Sequence, residues 1–195
     1  MGFFRKLFSA RRIVIRAIEE QERRLRHLAS LPPEKLTEQE DTSLCEVLSY
    51  LNDQKLNVLA GPLHKRRGTE ADWAELLPEP ARNYYLLDLF TLHMEEGGLC
   101  EALTAEERVH AHELPGLLDR IGAPEHAALL RGFFAENGID PTDLSSFAIG
   151  QTLEDDYTAQ EARFPYATFN QAYAALPPLL PQLAAYGRAH IREFY

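Results

Sequence analysis

Glu107 and His110 stand three residues apart, with His112 two positions further on, in the run Glu-Arg-Val-His-Ala-His. On a helix, a carboxylate and an imidazole at i and i+3 share a face and can ligate one metal ion, the element from which di-iron bundles are built. Those bundles use the element twice, with two further glutamates, and this chain has one copy. His112 projects away from His110, because helical neighbours two apart do not share a face. The first reading is therefore ordinary surface side chains, with a helical metal-binding protein or enzyme using Glu107 and His110 as the alternative. His93 and Glu96 form a second i, i+3 pair at the end of an apolar stretch, where a histidine in a last turn interacts favourably with the helix dipole. No nucleophile elbow, phosphate-binding glycine loop, zinc-type framework or HExxH segment occurs. Cys45 and Cys100 are far apart, in no metal or redox spacing, and read as buried fillers in a reducing compartment. No catalytic residue and no cofactor is assigned, and the expectation is a protein that is not an enzyme.

Charge carries more information than any catalytic pattern. Residues 1–30 hold eight Arg or Lys against three Glu, a balance of +5, whereas the remainder holds 12 basic and 27 acidic residues, a balance of −15. An acidic body repels nucleic acid and attracts basic partners, although solubility alone accounts for most acidic proteins of this size. The expected partner is a basic protein, with no direct nucleic-acid binding. The acidic residues best placed to meet it lie in a loose stretch: Asp140, Asp143, Glu154, Asp155, Asp156 and Glu161. Lys65-Arg66-Arg67 reads as a solvated loop, since no aromatic residues accompany it.

These residues must be positioned by helices. At 195 residues and 45% apolar, the chain can build one core. Residues 3–29 read as a basic amphipathic helix, suited to packing on the acidic body, pairing with another chain, or lying on an anionic membrane; Glu19, Glu20 and Glu22 spoil a purely cationic face and disfavour the membrane. Leu31-Pro32-Pro33 ends it. Thr37 with Glu40 reads as a capping box opening a helix to about Leu51, followed by a short helix and an exposed loop. Ala81 to Glu95, almost without a polar face, is the expected central helix, ended at Gly97-Gly98. Thr104 with Glu107 reads as a second capping box, opening a helix that Pro115-Gly116 kinks or splits. A turn at Gly122 precedes a helix from Pro124 to a stop at Gly138. One or two short helices are expected over 139–166, and a last one over Leu183 to Phe194. No alternating β-branched run competes, so the fold class is all-α: a single multi-helix domain over 34–195 behind the basic helix of 1–30. No apolar run is long enough to cross a bilayer. Arg11, Arg12 and Arg16 interrupt any signal-peptide core, and Lys6 occupies the Ser/Thr position of a myristoylation motif, so a cytoplasmic location is expected.

The stretch from Tyr84 onward resembles a bacterial domain-of-unknown-function family typified by a DNA-mimic protein. The match lies in an apolar helix running into Met94-Glu95-Glu96-Gly97-Gly98-Leu99, in Leu118-Asp119-Arg120-Ile121-Gly122-Ala123, and in the closing segment Tyr186 to Tyr195, covering about residues 84–195. Glu96, Leu99 and Glu101 stand where that family prefers Asn, Phe and Gln. The resemblance implies structural turns at Gly97, Gly98 and Gly122, and an all-helical protein for which a homodimer is an open alternative to a monomer. It also implies an acidic surface able to occupy the DNA-binding face of a transcriptional regulator.

Overall fold

The structure, a computed structural model, describes residues 17–59, 70–147 and 153–195; side chains at 70, 71, 107 and 153–156 lie outside the described set. Among the described residues there are eleven α-helices and no strand, so the fold is all-α. The first helix, α1, covers residues 17–29. It is followed by α2 (Pro33–Leu36), α3 (Asp41–Leu59), α4 (Glu70–Ala74), α5 (Glu79–Glu96) and α6 (Leu99–Thr104). Then come a 3-10 turn (Glu106–His110), α7 (Leu114–Arg120), α8 (Pro124–Glu136) and a 3-10 turn (Ser145–Phe147). The chain closes with α9 (Leu153–Glu161), α10 (Tyr166–Ala174), α11 (Leu180–Ala189) and a 3-10 turn (Ile191–Phe194). No helix of the described residues is long and apolar enough to cross a membrane. Residues 3–16 of the expected basic helix and the Lys65-Arg66-Arg67 loop lie outside the described residues.

The central helix is α5, as its apolar composition predicts: Ala81, Asn83 to Leu87 and Phe90 are buried, and it packs against α3, α6, α7 and α11. Tyr84 is fully buried, stands edge-on to Phe194 at 5.3 Å, and donates its hydroxyl to the Cys45 carbonyl at 3.2 Å. Burying rings of this size contributes about 2–3 kcal/mol each, and the hydroxyl bond removes the penalty of hiding a polar atom among them. The buried Asn52 amide of α3 likewise donates to the Ala81 carbonyl at 3.2 Å. Helix α11 lies close against α3 because Gly187 faces Leu48, where a Cβ would overlap the leucine methyl. The described part of α1 packs on this body, with Leu25, Leu28 and Ala29 against the core and Arg24 paired with Glu46.

Several local expectations are corrected. Thr37 does not open a helix; its hydroxyl donates to the Glu34 carbonyl at the end of α2, and α3 starts at Asp41 and runs to Leu59. Thr104 closes α6 by donating to the carbonyls of Cys100 and Glu101, and the segment after it is a 3-10 turn. Both threonines satisfy a carbonyl behind them, the back-bonding that competes with an N-cap role for these side chains. Pro115 and Pro181 sit in the first turns of α7 and α11, where a missing N–H costs nothing, so they start helices that were expected to be broken or delayed there.

Candidate functional site

The turn between α5 and α6 is built by reversal of the chain over two glycines. The N–H groups of Gly97 and Gly98 both donate to the His93 carbonyl, at 3.0 and 2.9 Å. Gly98 has φ +74°, in the left-handed region that costs glycine no Cβ clash. A Cβ on it would also collide with Asn170, whose side chain comes from α10 to accept the Leu99 N–H at 3.0 Å. A Cβ on Gly97 would meet the Glu101 carboxylate, so a side chain there would displace Glu101 from its present position. The first turn of α6 is thereby folded back on the last turn of α5, and ligand-type atoms of His93, Glu96 and Glu101 come within 4.8 Å of one another. With Thr104 and Tyr157 these side chains line a cavity of about 380 Å³. Burial raises the Tyr157 hydroxyl above the usual phenol range, and the charges of Glu161 and Glu101 add to it, so α9 brings a third carboxylate to the same neighbourhood.

The acidic residues expected to meet a partner divide into two groups. Asp140, Asp143 and Glu161 are exposed. Asp140 Oδ1 accepts from the Thr142 N–H at 2.9 Å and its hydroxyl at 2.7 Å; Asp143 Oδ1 accepts from the Ser145 N–H at 3.2 Å and its hydroxyl at 2.6 Å. These bonds hold both carboxyls below the usual aspartate range, so they stay ionised while fully in water. The loop that carries them is tied to the end of α9, where the Gln160 amide donates to the Ser146 carbonyl at 3.1 Å, next to Glu161. Glu154, Asp155 and Asp156 fall on α9, and their side chains lie outside the described set. Gly122, at φ +82°, turns the chain from α7 into α8.

The Glu107–His110 candidate takes a different form from a helical ligand pair. His110 lies on a 3-10 turn and is 8% exposed, not a surface side chain. Its Nδ1 stands 3.0 Å from Glu113 Oε1 and 3.2 Å from Arg82 Nη2. Arg82 grips Glu113 with two nitrogens, at 2.7 and 2.8 Å, and also donates to Glu75. Those bonds from Arg82 hold the Glu113 carboxyl down at about 2. This is an ion network clamping α4, α5 and the turn before α7. The Glu107 side chain lies outside the described set, and His112 is exposed with Nδ1 3.1 Å from the Val109 carbonyl.

Glu101 stands out in the sequence only as a departure from the family's Gln and not as a partner of His93, because nothing in its spacing from His93 predicts proximity. The pair becomes neighbours only through the Gly97–Gly98 reversal. Two glycines followed closely by a carboxylate are the signal, legible once the turn is known.

The family model described as DMP19-like protein matches residues 75–190, which includes α5, the glycine turn, the Asp140–Asp143 loop and α9. Neither the curated proteins nor the solved structures contain a match to this chain. The family model covers more than half of the sequence, from Glu75, just after α4, to the end of α11, and on that ground the chain belongs to the DMP19-like protein family.

Proposed function

We propose that the chain is a non-enzymatic binding protein whose acidic surface captures a basic protein, as a DNA mimic would occupy the DNA-binding face of a transcriptional regulator. Membership of a DNA-mimic family supports this class of activity. The observation that carries it to this chain is the set of exposed carboxylates Asp140, Asp143 and Glu161, two of them pinned by hydrogen bonds to their own loop. Duplex DNA presents one charge per ~1.7 Å of axis, fixed on a stiff backbone. A free glutamate must lose rotamer freedom to imitate a phosphate, at a cost of about 0.5–1.5 kcal/mol per immobilised side chain. An aspartate already held in place loses less, so its charge is better used.

Basic residues of the body are largely engaged: Arg120 with Glu79, Arg131 with Asp119, Arg188 with Asp41 and Arg192 with Glu34. That pairing leaves the loop aspartates and Glu161 to face solvent without an arginine or lysine ion pair among the described residues. The test is capture from lysate by the immobilised full chain at low and moderate salt. Retention of basic proteins that salt releases is the expected result. Retention of none, or retention indifferent to salt, overturns electrostatic capture.

A further inference from the structure

We propose that His93, Glu96 and Glu101 form a binding site for a divalent transition-metal ion at the α5–α6 turn. The three side chains come from two helices, and each offers one ligand atom within 4.8 Å of the others. His93 Nδ1 and Glu101 Oε1 stand 3.7 Å apart, too far for a hydrogen bond. Two ligands each about 2.1 Å from one ion at a tetrahedral angle are separated by about 3.4 Å, so this gap has the span of a metal-bridged pair. Glu96, the exposed member, closes the set by rotation about its outer bonds, whereas His93 and Glu101 are held at 17% and 33% side-chain exposure.

The donor set and its surroundings favour a cation over a water-filled notch. One imidazole with two carboxylates suits zinc, manganese or ferrous iron better than calcium or magnesium, which take oxygen donors almost alone. Among the described residues neither glutamate pairs with a lysine or arginine, and Arg108 directs its guanidinium to the carbonyls of Thr104 and Ala105. The adjoining cavity of about 380 Å³ leaves room for the water or further ligand that completes the coordination of a three-residue site. Gly97 is part of the device, since its lack of a Cβ leaves room for the Glu101 carboxylate over the helix end. The three ligands include neither His110, which lines a small neighbouring cavity with His93, nor the loop carboxylates Asp140 and Asp143, so metal binding can be measured without a captured partner.

The experiment is titration of the full-length, chelator-treated chain with zinc chloride by calorimetry, and with cobalt(II) followed by its visible absorption. One ion per chain, with cobalt bands of nitrogen and oxygen ligation and no thiolate charge transfer, is expected. Glu101→Gln and His93→Gln each weaken zinc binding by at least about tenfold, the scale seen when even the outer partners of a metal site are lost, and His112→Gln leaves it unchanged. Absence of saturable binding, or parental affinity in both substituted chains, overturns the site. Where circular dichroism shows that a variant has lost helix, the cobalt spectrum of the parent decides: bands support the site and their absence refutes it.

Discussion

Asn170 on α10 accepts the Leu99 N–H at 3.0 Å, so the first turn of α6 is capped by a side chain 71 positions away in sequence. The residue at the local cap position, Gly98, has no side chain to do this. An orphan N–H at a helix start costs about 1 kcal/mol when its acceptor is removed. Asn170→Ala is therefore expected to destabilise the chain by at least that amount in urea denaturation, while Asn170→Asp, which keeps the acceptor, stays close to the parent.

Two of the three described glycines with positive φ, Gly98 and Gly122, should respond unequally to alanine. Gly98 and Gly122 have φ +74° and +82°, but a Cβ collides with Asn170 at the first and meets open space at the second. The left-handed backbone alone costs about 1–2 kcal/mol for a residue with a side chain. Gly122→Ala is expected to lose about that much and Gly98→Ala about 1–3 kcal/mol more from the clash. Equal losses in chemical denaturation would show that the Asn170 packing is unimportant.

Acid should test the Arg82–Glu113 pair. Glu113 titrates at about 2 in the folded chain against 4.5 ordinarily, because Arg82 donates to it, with His110 adding a smaller effect. Its stabilising contribution is complete above pH 4.5 and disappears as pH falls through 2. Arg82→Gln should remove that dependence, flattening the acid limb of a stability-against-pH curve. An unchanged acid limb would place the acid sensitivity elsewhere.

Asp88 has the opposite sign. Burial, with a smaller effect from Asp53 and Glu95, pushes its carboxyl up to about 6 against 3.8, while the Ser49 hydroxyl, 2.7 Å away, restrains the rise. The folded chain thus binds this proton more tightly than the unfolded one, and stability falls as pH rises from 3.8 through 6. Asp88→Asn, which can still accept from Ser49, should gain on the parent across that interval and hold its gain at neutral pH. Thermal melts at acid and neutral pH measure the difference.

Long apolar patterns were legible in the sequence and single polar residues were not. α5 and α8 follow directly from runs of apolar residues ended by glycine, because burial dominates such segments. α6 was missed, since six residues are too few to show a period and its cap comes from α10. Thr37 and Thr104 fit a capping pattern, yet each hydroxyl finds a carbonyl one turn back. The distinction is made by the backbone and leaves no trace in composition. The same holds for the site residues: Asp140, Asp143 and Glu161 could be chosen on charge, whereas the meeting of Glu101 with His93 depends on a chain reversal. His110 reads as a ligand partner by spacing, and its burial beside Arg82 follows from tertiary packing.

The account depends most on ionised side chains at Asp140, Asp143 and Glu161 drawing a basic partner. Replacing them together by Asn, Asn and Gln removes three charges, and Asn keeps the acceptor that pins each loop position. The decisive measurement is the affinity of a salt-releasable captured protein for the parent and the triple variant across a range of salt. A weakening of roughly tenfold at low salt, with a shallower salt dependence, is predicted. Identical affinity and identical salt dependence in the two chains would contradict it.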